Sequence, residues 1–323
     1  MNILVLLNRD GGTLKTTDLD WLADLLRDEF QVHGHQITVE RGPGKEIVES
    51  IRRHAAREDI DVLLVGGGDG TVSAAAAALM GRKVALGILP AGTMNLFART
   101  LQIPLELQEA VAALASGTVT DVDIATVNGE PFIHQYAVGL HARMVRFREH
   151  IHYGSKVGKM LATTRAIWMA LRRLPLVELT MDVDGKVERL KSPAVAISNN
   201  LYGAGHLPFA DDPRGGQLGV YICTQRNVRR VMRLTLDILT GRWRDNGDLA
   251  VRPAKRVEIA YSGHNHSNRA VQDGELVRLQ DLTLVEIRPL ALKVLVPSDA
   301  TYLPQRGGSV DTAADKEAVT ARS

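Results

Sequence analysis

Val62-Leu63-Leu64-Val65-Gly66-Gly67-Gly68-Asp69-Gly70-Thr71 is the stretch on which the fold turns. Four apolar residues read as a buried strand of a parallel sheet, and the glycines end it abruptly. Consecutive glycines let the backbone turn with positive φ and bring bare N–H groups close to a ligand. The next residues, Val72 to Met80, include five successive alanines and form helix readily. Strand, glycine loop and helix N-terminus in that order suit an anion such as phosphate. Asp69 runs against this, because a carboxylate among such amides repels phosphate unless a divalent cation lies between them. The loop therefore points to a Mg-nucleotide. It matches neither G-x-x-x-x-G-K-S/T nor G-x-G-x-x-G, and a lone glycine turn is also a common structural device, so a second element is needed.

That element follows at once. Val84-Ala85-Leu86-Gly87-Ile88-Leu89 is another strand, Pro90-Ala91-Gly92-Thr93-Met94-Asn95 a small polar loop, and Leu96-Phe97-Ala98-Arg99 opens a helix. Two such units in succession put both loops at the carboxyl edge of one sheet, where open α/β sheets bind ligands. Working outward, residues 1–120 alternate: strand at 3–7, loop at Asn8–Thr16, helix at Asp18–Phe30, strand at Gln36–Glu40, helix at Lys45–Arg57, and a last helix at Leu105–Ser116. A doubly wound parallel sheet is expected.

From Asp121 the pattern changes to short strands with turn punctuation. Asn128-Gly129 and Asp184-Gly185 read as hairpin turns. Helical stretches interrupt the strands near 143–173 and 226–240. The expected organisation is an α/β domain over 1–120, a β-rich, sandwich-like domain over 121–289, and a disordered tail over 305–323, rich in Ser, Thr, Ala and Asp.

Bulk properties agree with a soluble two-domain protein: 323 residues, 45% hydrophobic, 24% charged, net charge +2. The single cysteine, Cys223, excludes an internal disulfide framework, fits a reducing cytoplasm and reads as core. Met1-Asn2 leads straight into a strand, so no secretory signal is expected. No window approaches the roughly 18–20 apolar residues of a membrane span. His33, His35, His150, His152, His264 and His266 make no credible zinc set.

The GGGDGT of Gly66–Thr71 and the LGILPAGTMNLFAR of Leu86–Arg99 resemble the lipid kinase family of diacylglycerol kinases, sphingosine and ceramide kinases and their bacterial relatives. The likeness extends to Ile3–Asn8, Val122-Asp123-Ile124 and Val271-Gln272-Asp273-Gly274-Glu275, so it spans nearly the whole chain. It implies ATP and Mg²⁺ as cofactors, and the return of 290–303 to the first domain. Gly66, Gly67, Gly68, Gly70 and Thr71 would cradle the phosphates, with Gly92, Thr93 and Asn95 as a second wall and Asn8 and Thr38 near the nucleotide. Asp69 and Asp123 would hold Mg²⁺ or orient the phosphates. Asp273 and Glu275 stand where the family places its proton acceptor, and either could serve. Turn chemistry alone explains Asp273-Gly274, but not Glu275.

The chain departs from the family in three places. Ser73-Ala74 stands where Asn-Glu is common, and Met94 where glycine is frequent. Pro208-Phe209-Ala210…Gly215-Gly216-Gln217-Leu218 lacks the aspartate linked to a structural metal, for which Asp211 and Asp212 are the candidate substitutes.

The expected activity is phosphoryl transfer from ATP to a hydroxyl of a diacylglycerol-like, sphingoid or ceramide lipid. The alternatives are NAD kinase, which shares a Gly-Gly-Asp-Gly loop, and a non-catalytic nucleotide- or lipid-binding protein. The expected partner is a lipid at the inner face of the membrane, with peripheral contact from a cytoplasmic protein. Basic residues interleaved with apolar ones at 143–173, and Arg226, Arg229, Arg230, Arg233, Arg242 and Arg244 around Trp243, fit anionic headgroups or, equally, a solvated helix face. Nothing in the chain suggests nucleic acid, and a homodimer is compatible with the reading.

Overall fold

The computed structural model describes residues 1–149, 174, 176–204, 208–261 and 269–304. The expected helix beyond 149, the histidines at 150, 152, 264 and 266, and the tail lie outside these residues.

Strands β1 (Asn2–Asn8), β2 (Gln36–Gly42), β3 (Val62–Gly67) and β4 (Ala85–Pro90) form a parallel sheet in the order β2-β1-β3-β4. Both β3 and β4 are buried at every position, as strands covered on both faces must be. The helices of this half are α1 (Leu19–Val32), α2 (Gly44–His54), α3 (Asp69–Leu79), α4 (Leu96–Thr100) and α5 (Leu107–Ala115). The Asp18 carboxylate caps α1 by accepting from the N–H groups of Asp20 and Trp21, and Leu22, Leu26 and Phe30 bury one face of it. The stretch Asn8–Thr16, read from sequence as plain loop, contains a 3-10 turn over Gly12–Lys15.

Two long strands belong to both halves. β5 (Thr118–Val127) runs antiparallel to the last strand, β16 (Leu282–Val296). Between them the chain supplies β6 (Glu130–Phe132), β7 (Gln135–Gly139), β8 (Val177–Val183), β9 (Lys186–Ser192), β10 (Ala194–Ser198), β11 (Leu218–Cys223), β12 (Leu249–Ala254), β13 (Arg256–Tyr261), β14 (Arg269–Gln272) and β15 (Glu275–Arg278). The end of β16, Leu292–Val296, pairs with Thr118–Val122 and lies parallel to β4 through Val294 and Leu86. Its beginning pairs with β13 on one side and with Ile124–Val127 on the other. The register breaks between Arg288 and Leu292, where Leu290 adopts φ 52°. The cores divide at the same level: Val122, Ile124 and Leu292 join the first, Ala125, Val127 and Ile287 the second.

The second half is a β sandwich. β13, β8 and β9 continue the first sheet antiparallel, and a six-stranded antiparallel sheet, β12-β11-β10-β7-β14-β15, packs against them. Asn128-Gly129, Asp184-Gly185 and Asp273-Gly274 each take two positive φ values, the type I′ hairpin geometry. Helices α6 (Leu140–Glu149) and α7 (Val228–Leu239) cover the other face of the six-stranded sheet, where Leu140, Val231 and Leu234 pack on Cys223.

Candidate active site

Three loops converge at the carboxyl ends of β1, β3 and β4. Gly12 (φ 28°) lies so close to the second loop that a Cβ there would sit 2.0 Å from the Ala91 carbonyl oxygen, and Thr13 N–H donates to that oxygen at 2.8 Å. Ala91 N–H in turn donates to Gly67 O at 3.1 Å. Gly67 faces Thr71, whose Oγ1 would be 2.7 Å from an added Cβ, so the turn into α3 closes only on glycine. Asn8 fixes Thr71 from the other side, its Nδ2 donating to Thr71 Oγ1 at 3.1 Å. Asn95 (φ 51°) folds its own loop: Oδ1 accepts from Gly92 N–H at 2.8 Å and Nδ2 donates to Gly92 O at 3.0 Å. Thr93 is exposed at the rim. Gly66, Gly67, Gly68, Gly70, Thr71, Asn8, Gly92, Thr93 and Asn95 therefore share one site. At the start of α3 the Thr71 and Val72 N–H groups donate to Gly68 O at 2.9 and 3.2 Å, so the Asp69 and Gly70 N–H groups are the ones helix geometry leaves for a ligand.

Asp69 bridges the two glycine loops. Its Oδ2 accepts from Asn95 N–H at 3.1 Å and its Oδ1 from Leu96 N–H at 2.8 Å, so it caps the short helix α4. Thr38 does not join them. It is in register with Leu4, four residues short of the Asn8–Gly42 pair that ends the strands, which puts it about 13 Å from the loops at roughly 3.3 Å per residue.

Asp123 is placed differently from the metal role expected of it. It is 1% exposed, and its carboxylate accepts from Asn200 Nδ2 and Gly216 N–H, both at 2.7 Å, and from Leu290 N–H at 3.0 Å. Those donors come from two loops and from the β16 break, so the buried charge is spent on joining the halves. Asp211 and Asp212 serve their own loops, accepting from Ala204 N–H and Arg214 N–H. Among the described residues no three His, Cys, Asp or Glu side chains gather as a metal-ligand set.

The β14–β15 hairpin lands on α3. Asp273 Oδ1 accepts from the N–H groups of His134 (2.9 Å) and Gln135 (3.2 Å). Oδ2 accepts from Ile133 N–H at 3.0 Å and from the Ser73 hydroxyl at 2.6 Å. Burial pushes the Asp273 carboxyl up from its ordinary value, against the pull of these four donors. Glu275 is exposed and overhangs the start of α3, its Oε1 3.9 Å from where a Cβ on Gly70 would stand. Of the two carboxylates, Asp273 is fully engaged and Glu275 is open to a reactant.

Behind the hairpin, between the six-stranded sheet and helices α6 and α7, lies a cavity of about 340 Å³. Leu140, Met144, Val231, Leu234 and Ile238 make its walls, and Gln135, His141 and Tyr202 are among its polar lining residues. There the Tyr202 hydroxyl donates to Gln135 Oε1 at 2.9 Å, and Gln135 Nε2 lies 3.1 Å from His141 Nε2. An amide nitrogen only donates, so Nε2 is the acceptor here, and burial, which lowers the His141 pKa, favours the neutral ring that this needs. His134 stacks on Tyr202 and Tyr202 on Tyr221, at 5.7 and 4.8 Å. Gln135 belongs to both places, since its backbone N–H binds Asp273 and its side chain lines the cavity.

Sequence reasoning missed Gln135, His141 and Tyr202, which lie in no motif. It noted Ser73 only as a departure, without its partner. Gly11-Gly12 at the end of β1 was a legible signal, a third glycine turn at the same sheet edge.

Residues 2–127 match the family model described as diacylglycerol kinase catalytic domain. Residues 136–296 match the YegS C-terminal NAD kinase beta sandwich-like domain. An uncharacterized protein of Synechocystis sp. is 27% identical over 269 residues, 78% of this chain and 59% of that protein. A Yersinia pestis protein named probable lipid kinase YegS-like is 38% identical over 118 residues, 35% of this chain and 38% of that protein. The aligned parts thus span less than two thirds of either relative. A crystal structure of a diacylglycerol kinase from Bacillus anthracis superposes with a TM-score of 0.66 at 17% identity, covering 93% of this chain and 98% of that one, a likeness of fold.

Proposed function

Because the chain belongs to the diacylglycerol kinase-like family of lipid kinases, we propose that it transfers the γ-phosphoryl group of ATP to a hydroxyl of a diacylglycerol-like, ceramide or sphingoid lipid. The observation that carries this reading is Gln135, which ties an apolar cavity to the hairpin that holds Glu275 over the glycine loop. A lipid tail in the cavity would bring its polar end toward that hairpin. The apolar walls also favour a lipid over NAD, whose polar dinucleotide would leave them unmatched.

The residues divide the work of phosphoryl transfer. The N–H groups at the start of α3 and the loop at Gly92–Asn95 hold the triphosphate. Glu275 accepts the proton of the acceptor hydroxyl as its oxygen bonds to the γ-phosphorus. The bond to the β–γ bridging oxygen breaks, and ADP leaves. Asp273 keeps the hairpin in place and is not free to act as the base. Each Asp69 oxygen takes a single N–H and keeps a lone pair, so Asp69 is the carboxylate at the glycine loops that would hold a Mg²⁺ brought by the substrate phosphates, an ion that commonly needs only one or two carboxylates. Such an ion would neutralise charge developing on the phosphates. The described residues include no helix long and apolar enough to cross a membrane, and in this reading the protein meets its lipid from the cytoplasmic side.

The test is to incubate purified protein with γ-labelled ATP, Mg²⁺ and separate pools of diacylglycerol, ceramide, sphingosine, bacterial lipid and NAD. A labelled lipid that disappears in Glu275→Gln supports the assignment. Label on NAD overturns it. ATP binding with no labelled product in any pool would favour a non-catalytic binding protein.

A further inference from the structure

We propose that α7 docks on an anionic phospholipid bilayer and sets the mouth of the apolar cavity against the membrane. This rests on the lipid-kinase reading, and adds the surface through which the acceptor would arrive.

The helix carries two stripes at i, i+3, i+4, i+7 spacing. Val231, Leu234, Thr235 and Ile238 line the cavity. Arg229, Met232, Arg233 and Leu236 form the outward stripe and are all exposed. Leu236 is 56% and Met232 39% exposed, two large apolar side chains one turn apart on the same stripe as the arginines, a contiguous apolar surface rather than a scattered one. Ile238, 38% exposed, belongs to the cavity lining and to the surface at once, so α7 forms part of the cavity's rim.

The charge beside this stripe has one sign to spare. A cleft of about 440 Å³ is lined by Arg230, Arg233, Asp237, Arg242, Asn246 and Asp248, among others. Arg230 pairs with Asp248 at 2.6 Å, and Asp237 accepts from Asn246 Nδ2 at 2.5 Å. Both carboxylates are engaged, and among the described residues Arg229, Arg233 and Arg242 have no ion-pair partner. Arginines flanking exposed Met and Leu on a helix match the interfacial pattern, with cations at phosphate level and apolar side chains just below it. Charge complementarity thus selects an anionic bilayer. Continuity with the cavity gives the lipid a path that avoids water.

Co-sedimentation of the full chain with vesicles of phosphatidylcholine, with or without phosphatidylglycerol, tests the surface. The parent is expected to bind the phosphatidylglycerol vesicles and to release them at high salt. Arg229→Glu/Arg233→Glu should weaken binding at least about thirtyfold, at about fivefold per arginine lost from an anionic surface. Arg229→Lys/Arg233→Lys should keep it, and Met232→Ser/Leu236→Ser should weaken it without changing the thermal midpoint. Charge-reversed protein that binds as the parent does, or a parent indifferent to phosphatidylglycerol, overturns the proposal. A parallel assay with a water-dispersed short-chain diacylglycerol separates the two readings. Loss on vesicles with retained turnover on the short-chain lipid supports docking. Vesicle binding lost through α7 while no lipid is ever phosphorylated supports docking and removes the kinase reading. Turnover on both with α7-independent binding does the reverse.

Discussion

The Ser73 hydroxyl donates to Asp273 Oδ2 at 2.6 Å, across 200 residues of sequence. It ties the second turn of α3 to the β14–β15 hairpin, and so sets the height of Glu275 above the glycine loop. Ser73→Ala removes one of four donors and should cost about 1.5–3 kcal/mol, the range for a hydrogen bond to a charged group. Asp273→Asn should cost more, because its amide end would face N–H groups that need an acceptor. Urea midpoints of the two variants check the order, and a more stable Asp273→Asn would refute this account of the hairpin.

Asp123 offers a cleaner choice between roles. If its carboxylate joins the two halves, Asp123→Asn destabilises by about 2–4 kcal/mol, since three donors lose an anionic acceptor at a buried site. The Mg²⁺ dependence of whatever activity survives should not move. A variant as stable as the parent with a raised Mg²⁺ requirement would return Asp123 to the metal.

The glycines of the first loop should respond unequally to alanine. At Gly67 the added methyl meets Thr71 Oγ1 at 2.7 Å, and overpacking of this kind costs about 1–3 kcal/mol. At Gly68 the nearest atom, the Gly92 Cα, is 3.5 Å away, so Gly68→Ala should fold normally. It would still stand in the cradle, and calorimetry with ATP should show weakened binding by a stable protein.

Acid should destabilise the second half before the carboxylates titrate. Burial pushes the His134 pKa down from 6.5 to about 3, and that of His141 also downward. Both rings are neutral in the native state and protonate more readily when unfolded. The His134 contribution is therefore full above pH 6.5 and declines as pH falls from there toward 3, at up to about 1.4 kcal/mol per pH unit, and His141 acts in the same direction. Urea titrations across that range check the slope, and His134→Phe should flatten it. An unchanged slope would mean that His134 is solvated in the native protein.

The first sheet was legible because its signals are local. Apolar runs broken by Gly66–Gly68 and by Ala91–Asn95 fix where strands end, and a sheet's ligand edge follows from its strand ends. The type I′ hairpins were legible for the same reason. Thr38 lies four residues back from the loop edge, a depth that a strand pattern does not give and that the Leu4 pairing supplies. The joint that Asp123 makes was not legible because its three partners lie 77, 93 and 167 residues away and carry no periodic mark. The cavity draws on scattered positions from 135 to 249, and no short motif could announce it.

The sharing of β5 and β16 bears on biosynthesis. By the time residue 281 is made, every residue of the three glycine-bearing loops has been synthesised, yet β4 still lacks its neighbour, which belongs to the last of the described strands to emerge. The half of the molecule encoded first is thus sealed last. A nascent chain should gain ATP affinity in one late step, when Leu292–Val296 clears the ribosome, rather than when its glycine loops do.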